Sequence, residues 1–179
     1  MKSLNYRSRC FPFPAYPVVA LAGVTVAAVV AFVATVPTAL AQDVARGQKI
    51  WTAKAGCPEC HGWAGDGVGS FHSPHGTALR QTELTRDQIR ETIQCGRPGT
   101  PMPHFDRFAY TDKRCYDMTA DDLGDQKPNR APTTLQADEI DAVADYVAVK
   151  LKGLGRVTRA QCLNYFGTDA SRCEEYPER

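Results

Sequence analysis

The stretch that decides the fold is AGCPECHGWAGDG, Ala55–Gly67, in which two cysteines two residues apart are followed at once by a histidine. A Cys-x-x-Cys pair is used in zinc sites, in redox dithiols and in covalent haem attachment. A zinc site needs a second ligand pair, and no other cysteine lies two to four residues from another. A thioredoxin-like dithiol belongs near a βαβ pattern, and the sequence shows no convincing strand run.

Haem c attachment uses all three residues of this motif. The thiols of Cys57 and Cys60 would add across the two vinyl groups, and the next residue, His61, would supply an imidazole to the iron. A histidine directly after the second cysteine is uninformative for a zinc pair or a dithiol, but haem c requires it. The sequence therefore predicts one covalently bound haem c, and the alternative is a pair of free or disulfide-bonded thiols in a loop.

A haem iron held by one histidine has either a sixth ligand or an open site. Met102 lies in GTPMPHF, Gly99–Phe105, between Pro101 and Pro103. A thioether in a stiff loop can be held at the iron at little entropic cost, so Met102 is the predicted distal ligand. Core packing is the alternative for a lone methionine. The rival, His104, is expected to be an ordinary polar loop residue. Three further candidates are expected at the surface or in packing: His72, His75 and Met118.

The amino terminus has the pattern of a secretory signal. Lys2, Arg7 and Arg9 precede the uncharged run Val18–Val36, and an Ala-x-Ala site ends at Ala41. Residues 1–41 are therefore predicted to be a signal peptide that is removed after Ala41, and Cys10 leaves with it. The run of 19 residues is also just long enough to span a bilayer, so a retained membrane anchor is the alternative.

Charge and cysteine content fit an exported protein with protein partners. After Ala41 the chain keeps 18 basic and 20 acidic residues, so no strongly basic face is indicated and nucleic acid is not an expected partner. The six cysteines after Ala41 are an even set, as expected of an exported chain with disulfides. The predicted location is the periplasm, and contact with a membrane is expected only if the amino-terminal segment stays uncleaved.

Three helices are predicted, with long loops between them. The first covers Asp43–Gly56, and the second begins near Thr85, whose spacing to Gln88 is that of a capping box. The third, Leu135–Gly153, has apolar residues at helical spacing, and Thr133 and Gln136 are its predicted capping box. The segment between about residues 106 and 132 is predicted to be an irregular polar loop, and a short helix is predicted over residues 158–166.

In combination, four segments resemble the class I, monohaem c-type cytochromes: CPECHGWAGDG, IQCGRPG, TPMPHF and LQADEIDAVADYVAVKL. The resemblance spans about Asp43–Gly153. It implies an all-α, cytochrome c-like fold of three main helices around one covalent haem, with the first and last helices crossing beside it. Trp51, Tyr146 and Val147 would then lie at the crossing. The cytochrome c domain is expected at residues 42–153, followed by a carboxyl-terminal extension at 154–179.

The resemblance also implies single-electron transfer rather than enzymatic catalysis, with His61 as proximal and Met102 as distal ligand. The expected partners are redox proteins: a periplasmic dehydrogenase as donor, for which a quinoprotein alcohol dehydrogenase is one candidate, and an oxidase or another cytochrome as acceptor. One alternative is a membrane-tethered cytochrome subunit of a dehydrogenase or oxidase complex. Another is a haem enzyme or sensor with an open sixth position. Arg97, just before the distal loop, is a candidate contact for the haem propionates.

The insertion after Met102 and the extension after Gly153 depart from the minimal family pattern, and each carries cysteines. The expected disulfides are Cys95–Cys115 and Cys162–Cys173, because each pair encloses a loop that can close locally. Four cysteines allow three pairings, and the other two stay open at this point. The insertion and the extension are expected to act as structural staples, and the alternative is a docking surface for one particular partner.

Overall fold

The structure, a computed structural model, describes residues 43–167 and 171–178. The predicted signal peptide and Cys10 lie outside these residues. Within them there is no β-strand, and only two isolated bridges join His104 to Arg130 and Cys115 to Met118. The predicted all-α fold is confirmed. Across residues 43–167 and 171–178, no helix has the length and apolar character needed to cross a bilayer.

The helices are named in chain order. The bounds are α1, residues 43–49, continued by the π-helical turn Ile50–Lys54; α2, Pro58–His61; α3, Arg86–Cys95; α4, Ala120–Leu123; α5, Ala137–Tyr146, continued by the π-helical turn Val147–Leu151; and α6, Arg159–Phe166. Short 3-10 turns occupy Leu79–Gln81, Gly124–Gln126 and Ser171–Cys173.

Helix α3 begins as its sequence predicts. The Thr85 hydroxyl accepts a hydrogen bond from the Gln88 N–H at 3.3 Å, and the Gln88 side chain accepts one from the Thr85 N–H at 2.8 Å. This reciprocal capping box satisfies two backbone donors that the first turn of a helix leaves free. Ile89 and Ile93 then lie buried on one face, 5% and 7% exposed, and they form one wall of the core.

Helix α5 also begins with a capping box, but not the predicted one. The expectation that Thr133 caps this helix is wrong, because the N-cap is Gln136, whose N–H donates to the Glu139 carboxylate at 2.9 Å. Thr133 and Gln136 have the same three-residue spacing as Gln136 and Glu139, so a local pattern admits both starts. The carboxylate of Glu139 in the first turn also favours the later start, since anions stabilise helix amino termini.

Helices α1 and α5 cross at a glycine. A Cβ built on Gly47 would overlap the Ala142 carbonyl and would lie 2.9 Å from the Cβ of Tyr146. Only a residue without a side chain allows two helix backbones to approach this closely. Beside the crossing, the rings of Trp51 and Tyr146 are 5.9 Å apart, and Val147 is 1% exposed. The three residues expected at the helix crossing are therefore there.

Helix α3 packs against α5, and ion pairs border the contact. Arg86 donates to Asp145 at 2.8 Å, and both Arg86 and Arg90 pair with Asp141, at 2.8 and 3.0 Å. These side chains are 21% to 38% exposed, so each pair contributes at most about 1 kcal/mol. Most of the stability of the contact comes from the apolar core between the helices. Its buried members come from α1, α3, α5 and the loops: Val44, Ile50, Trp51, Ile89, Ile93, Phe105, Ala131, Leu135, Ile140, Ala142, Val143, Ala144, Tyr146, Val147 and Leu151.

The insertion after Met102 has more structure than its sequence predicts. The expectation of an irregular loop is wrong for residues 120–126, which form α4 and a 3-10 turn. A second small core lies under it, where the disulfide Cys95–Cys115 ties the insertion to the end of α3. The buried Tyr110 hydroxyl donates to the Cys95 carbonyl at 2.8 Å. The insertion is thus fastened to the helix that precedes Met102.

One ion pair between α1 and α5 gives the fold a dependence on pH. The Lys54 ammonium contacts both carboxylate oxygens of Glu139, at 2.5 and 2.6 Å, and this hydrogen bond holds the pKa of Glu139 below its usual 4.5. Because the folded pKa is depressed, the stabilisation is complete above the unfolded pKa. It is lost as the pH falls through the folded value, below 4.5.

We expect Glu139→Gln to lower the free energy of unfolding by less than about 1 kcal/mol at neutral pH, since Lys54 is partly exposed. At a second pH, below 4.5 and low enough to protonate Glu139 in the folded protein, the wild type loses this contribution, so the difference between the two proteins should shrink. Urea unfolding of both proteins at the two pH values measures it. A difference that stays constant with pH would show that the pair does not contribute.

Candidate haem-binding site

The core opens into one large cavity bounded by α1, α3, α5 and two loops. Its volume is about 840 Å³, within the range of sites that enclose a cofactor. Its walls are mostly apolar. The residues that line it from the helices and from the loop before α5 include Trp51, Ala55, Ile89, Thr92, Ile93, Leu135, Val143 and Val147. Both motifs singled out in the sequence, Cys57–His61 and Met102, also contribute to the lining.

Helix α2 presents the cysteine motif to the cavity. Cys57 is the N-cap of this one-turn helix, and the His61 N–H donates to the Cys57 carbonyl at 2.9 Å. Among the described cysteines, only Cys57 and Cys60 are free, and both line the cavity. Burial raises the pKa of the Cys57 thiol to about 12. In the part of the chain that the structure describes, no group of three or more histidine, cysteine or acidic side chains is placed to hold a metal ion, which speaks against a zinc site at these two thiols.

The imidazole of His61 is fixed in one orientation. Its Nδ1 lies 2.9 Å from the carbonyl oxygen of Thr77. A carbonyl only accepts hydrogen bonds, so Nδ1 carries the proton and Nε2 keeps its lone pair. Burial lowers the pKa of His61, which favours the neutral ring. A neutral imidazole with one nitrogen tied to a carbonyl is the usual form of a metal-ligating histidine.

Gly76 allows the loop to approach this imidazole. A Cβ at this position would lie 2.6 Å from Nδ1 of His61 and 3.0 Å from the Cys60 carbonyl. The Gly76 N–H donates to that same carbonyl at 2.7 Å, which holds the loop against the motif. The absence of a side chain at Gly76 therefore makes room for the hydrogen bond from His61 to Thr77, one residue further on.

Met102 lies in the wall of the same cavity and is partly buried against the core. Its backbone is held on both sides. The Arg97 N–H donates to its carbonyl at 3.2 Å, and its own N–H donates to the Thr100 hydroxyl at 3.3 Å. Gly96 carries φ +67 at the end of α3, and a side chain there would lie 2.7 Å from the Met102 carbonyl. The loop is therefore closed tightly against the end of α3.

The rivals of Met102 lie elsewhere. His104 is 7% exposed and does not line the cavity, and its Nδ1 is 2.8 Å from the Asp106 carbonyl. The expectation that His104 is an ordinary polar loop residue is wrong, because it is a buried structural one that packs against Tyr110. His72 and His75 are exposed, although His75 lies at the cavity rim. Met118 is 39% exposed and lies away from the cavity lining.

The arginines and lysine that follow α3 differ in position. Arg97 lines the cavity and is exposed. Arg114 instead pairs with Asp112 at 2.7 Å, and Arg107 lies over the ring of Phe108. Neither of these two nor Lys113 lines the cavity. Arg97 is therefore the member of this set placed near the predicted cofactor.

The residues present fit a covalently held haem. The cavity has the required donor set: two free thiols, a neutral imidazole and a thioether. Trp51, 2% exposed and part of the lining, has a buried indole Nε1 with no hydrogen-bond partner in the described structure. Buried donors without a partner are rare in proteins and indicate a partner that the protein chain itself does not provide. Apolar walls suit the flat porphyrin ring.

The fold and the cavity define the class of protein as a c-type cytochrome. Comparison with known families agrees: residues 42–120 match the family model described as cytochrome c oxidase, cbb3-type, subunit III, which shows a c-type, haem-binding cytochrome domain in this chain. Among curated proteins and among solved structures, no match was found. The haem supplies one-electron exchange at its iron, and the domain is an electron-transfer domain.

Sequence reasoning missed several residues that build the site. Thr77 contacts His61 through its backbone carbonyl, and Gly76 makes room for His61 because it has no side chain. Neither residue belongs to a recognisable sequence motif. Trp51 was expected at the helix crossing, but the sequence does not show that its buried N–H lacks a hydrogen-bond partner. The burial of Arg80, which is 5% exposed, could not be predicted, since exposed and buried arginines look alike in a sequence.

Proposed function

We propose that this protein is a periplasmic single-electron carrier. Cys57 and Cys60 would form the thioether bonds, His61 would be the proximal ligand, and Met102 would be the distal ligand. The observation that carries the proposal is that the two free thiols, the oriented imidazole and the thioether all line one cavity. With His61 and Met102 both as ligands, the haem would supply one-electron exchange, and its iron would leave no position for a substrate.

The chain's own residues provide the conditions for this exchange. His61 keeps Nε2 free through its hydrogen bond to Thr77, and the proline-flanked loop holds the Met102 thioether. The apolar wall keeps water away, which limits reorganisation when the charge on the iron changes. Methionine–histidine ligation raises the reduction potential, which suits a carrier between a dehydrogenase and an oxidase.

The proposed partners are proteins that dock briefly. The donor would be a periplasmic dehydrogenase, for which a quinoprotein alcohol dehydrogenase is one candidate, and the acceptor an oxidase or another cytochrome. Transient redox contacts are small, below about 1,200 Å². Residues 1–41 would direct export and then be removed, which leaves the cytochrome domain at residues 42–153 and the extension at residues 154–179.

A second candidate is a membrane-tethered subunit of an oxidase or dehydrogenase complex. The description of the matching family, an oxidase subunit, favours it. In this case the run Val18–Val36 would remain as an anchor. Amino-terminal sequencing of the exported protein separates the two: a chain that begins at Gln42 excludes the tether.

Carbon monoxide tests the proposal against a haem enzyme or sensor with an open sixth position. We expect the reduced, full-length protein to bind carbon monoxide weakly and slowly, because the Met102 thioether would have to leave first. The change in the optical spectrum after mixing measures the rate. Rapid and tight binding to the wild type would contradict the carrier and favour the open site.

A further inference from the structure

The carboxyl-terminal extension packs against the loop that follows the haem motif. The ring of Trp63, two residues after His61, lies 4.5 Å from that of Tyr165. Its indole N–H donates to the Tyr176 hydroxyl at 3.1 Å, and that hydroxyl donates to Asp66 at 3.0 Å. Helix α6 and the residues after the last 3-10 turn thus both touch the segment that follows His61.

The buried side chain of Arg80 also connects the loop after His61 to the extension. It is 5% exposed, and its guanidinium donates to the Gly155 carbonyl at 2.6 Å, to the Gln161 side chain at 3.0 Å and to the Leu154 carbonyl at 3.3 Å. All three acceptors belong to the extension, and all three are neutral. A buried guanidinium needs its donors satisfied, so the extension is what makes this position of Arg80 tolerable.

The backbone of Arg80 continues this link to the proximal histidine. Its N–H donates to the Gly65 carbonyl at 3.2 Å, and its carbonyl accepts from the Gly153 N–H at 3.0 Å. Three residues earlier, the Thr77 carbonyl lies 2.9 Å from Nδ1 of His61. The segment 76–80 is therefore fastened at Gly76 to the haem motif and at Arg80 to the carboxyl-terminal part of the chain.

We propose that the extension, acting through Arg80, positions the Thr77 carbonyl that orients His61. Arg80 is then a positioning residue for the proximal ligand, and this role rests on the proposed ligation by His61. A hydrogen bond to the second nitrogen raises the basicity of a ligating imidazole. A more basic ligand favours the oxidised iron, so loosening the segment should raise the reduction potential.

The disulfide Cys162–Cys173 offers a way to loosen the extension without changing any charge. It joins α6 to the 3-10 turn before Tyr176, and Cys162 is the neighbour of Gln161, which accepts from Arg80. The double variant Cys162→Ala with Cys173→Ala removes the cross-link. Arg80→Lys keeps the positive charge but loses the planar fork that reaches three acceptors. Arg159→Lys is the matched control, since Arg159 pairs with Glu178 inside the extension.

The test uses the full-length, haem-loaded protein and two readouts: the midpoint potential, and hydrogen exchange of the His61 Nδ1 proton followed by NMR. We expect both Arg80→Lys and the double cysteine variant to raise the potential and to accelerate this exchange about tenfold, the effect of weakening one to two hydrogen bonds. Arg159→Lys should change neither.

Three outcomes distinguish the role of the extension from the proposed ligation by His61. Wild-type potential and exchange in both folded variants would overturn the role of the extension and leave the electron-carrier proposal intact. If Arg80→Lys does not fold, the double cysteine variant decides in the same way. If the wild type shows no His61 Nδ1 proton with the paramagnetic shift of an iron ligand, the ligation by His61 itself is refuted, and the positioning role with it.

Discussion

Replacing Met102 with alanine will remove the low-spin, six-coordinate optical spectrum in both oxidation states and lower the midpoint potential. Among residues 43–167 and 171–178, two rival ligands are placed elsewhere: Met118 is partly exposed and does not line the cavity, and His104 is engaged with Asp106 and Tyr110. Loss of the thioether therefore leaves the sixth position to water or empty. Since methionine ligation raises the potential, its loss lowers it.

The matched control for this prediction is Met118→Ala, which removes the same side chain at a place away from the cavity. It should leave the spectrum and the potential as in the wild type. Optical and magnetic spectra of both variants, recorded oxidised and reduced, measure the difference. An unchanged low-spin spectrum in Met102→Ala would contradict the assignment of Met102 as distal ligand.

Replacing Gly47 with valine will destabilise the fold by about 3 kcal/mol or more, because the first atom of any side chain collides with the α5 backbone. The Cβ would overlap the Ala142 carbonyl and press on Tyr146, and both belong to the helix that closes the haem cavity. Neither atom can rotate away, so the two helices must separate. The opened crossing would also expose Trp51 to water.

Ala53→Val is the control, because Ala53 is exposed in the helical turn that continues α1. It carries only the propensity cost of a β-branched residue, less than about 1 kcal/mol. Urea unfolding of the haem-loaded proteins, followed by far-UV circular dichroism, gives both values. Equal losses in the two variants would show that the close crossing does not matter for stability.

Local signals in the sequence were enough for the features that depend on neighbouring residues. The start of α3 at Thr85 follows from spacing alone. The one-turn helix Pro58–His61 was not predicted. The start of α5 did not follow from spacing alone, because two overlapping pairs have capping-box spacing and only the packed helix selects Gln136. Helix α4 was not predicted, although Thr119 and Asp122 form a capping box, because the surrounding residues are polar and lack a helical pattern of apolar residues.

Some residues of the candidate site could be predicted from the sequence and others could not. The cysteine motif and the proline-flanked Met102 are recognised by their residue types and their order in the sequence. The carbonyl of Thr77 and the bare backbone of Gly76 have no such signature, because any residue has a carbonyl and glycine has many uses. The burial of Arg80 depends on an extension that lies more than 70 residues further along the chain. Such contacts are set by tertiary structure.

The disulfides show an intermediate case. The pairs Cys95–Cys115 and Cys162–Cys173 were expected because each encloses a short loop, and the structure has these same pairs, with Cα atoms 5.5 and 5.6 Å apart. Sequence left two other pairings open. The structure adds that Cys95 ends the helix before the distal loop, while Cys162 adjoins the acceptor of Arg80.

Mass spectrometry of the intact exported protein under denaturing conditions tests the central claim, that Cys57 and Cys60 hold a haem covalently. The account predicts a mass equal to the polypeptide plus one haem, which survives unfolding and acid extraction. After proteolysis, the haem should remain on the peptide that contains CPECH, and a variant with Cys57→Ala and Cys60→Ala should lack it. A wild-type protein that releases its haem on denaturation, or carries it on another peptide, would contradict the account.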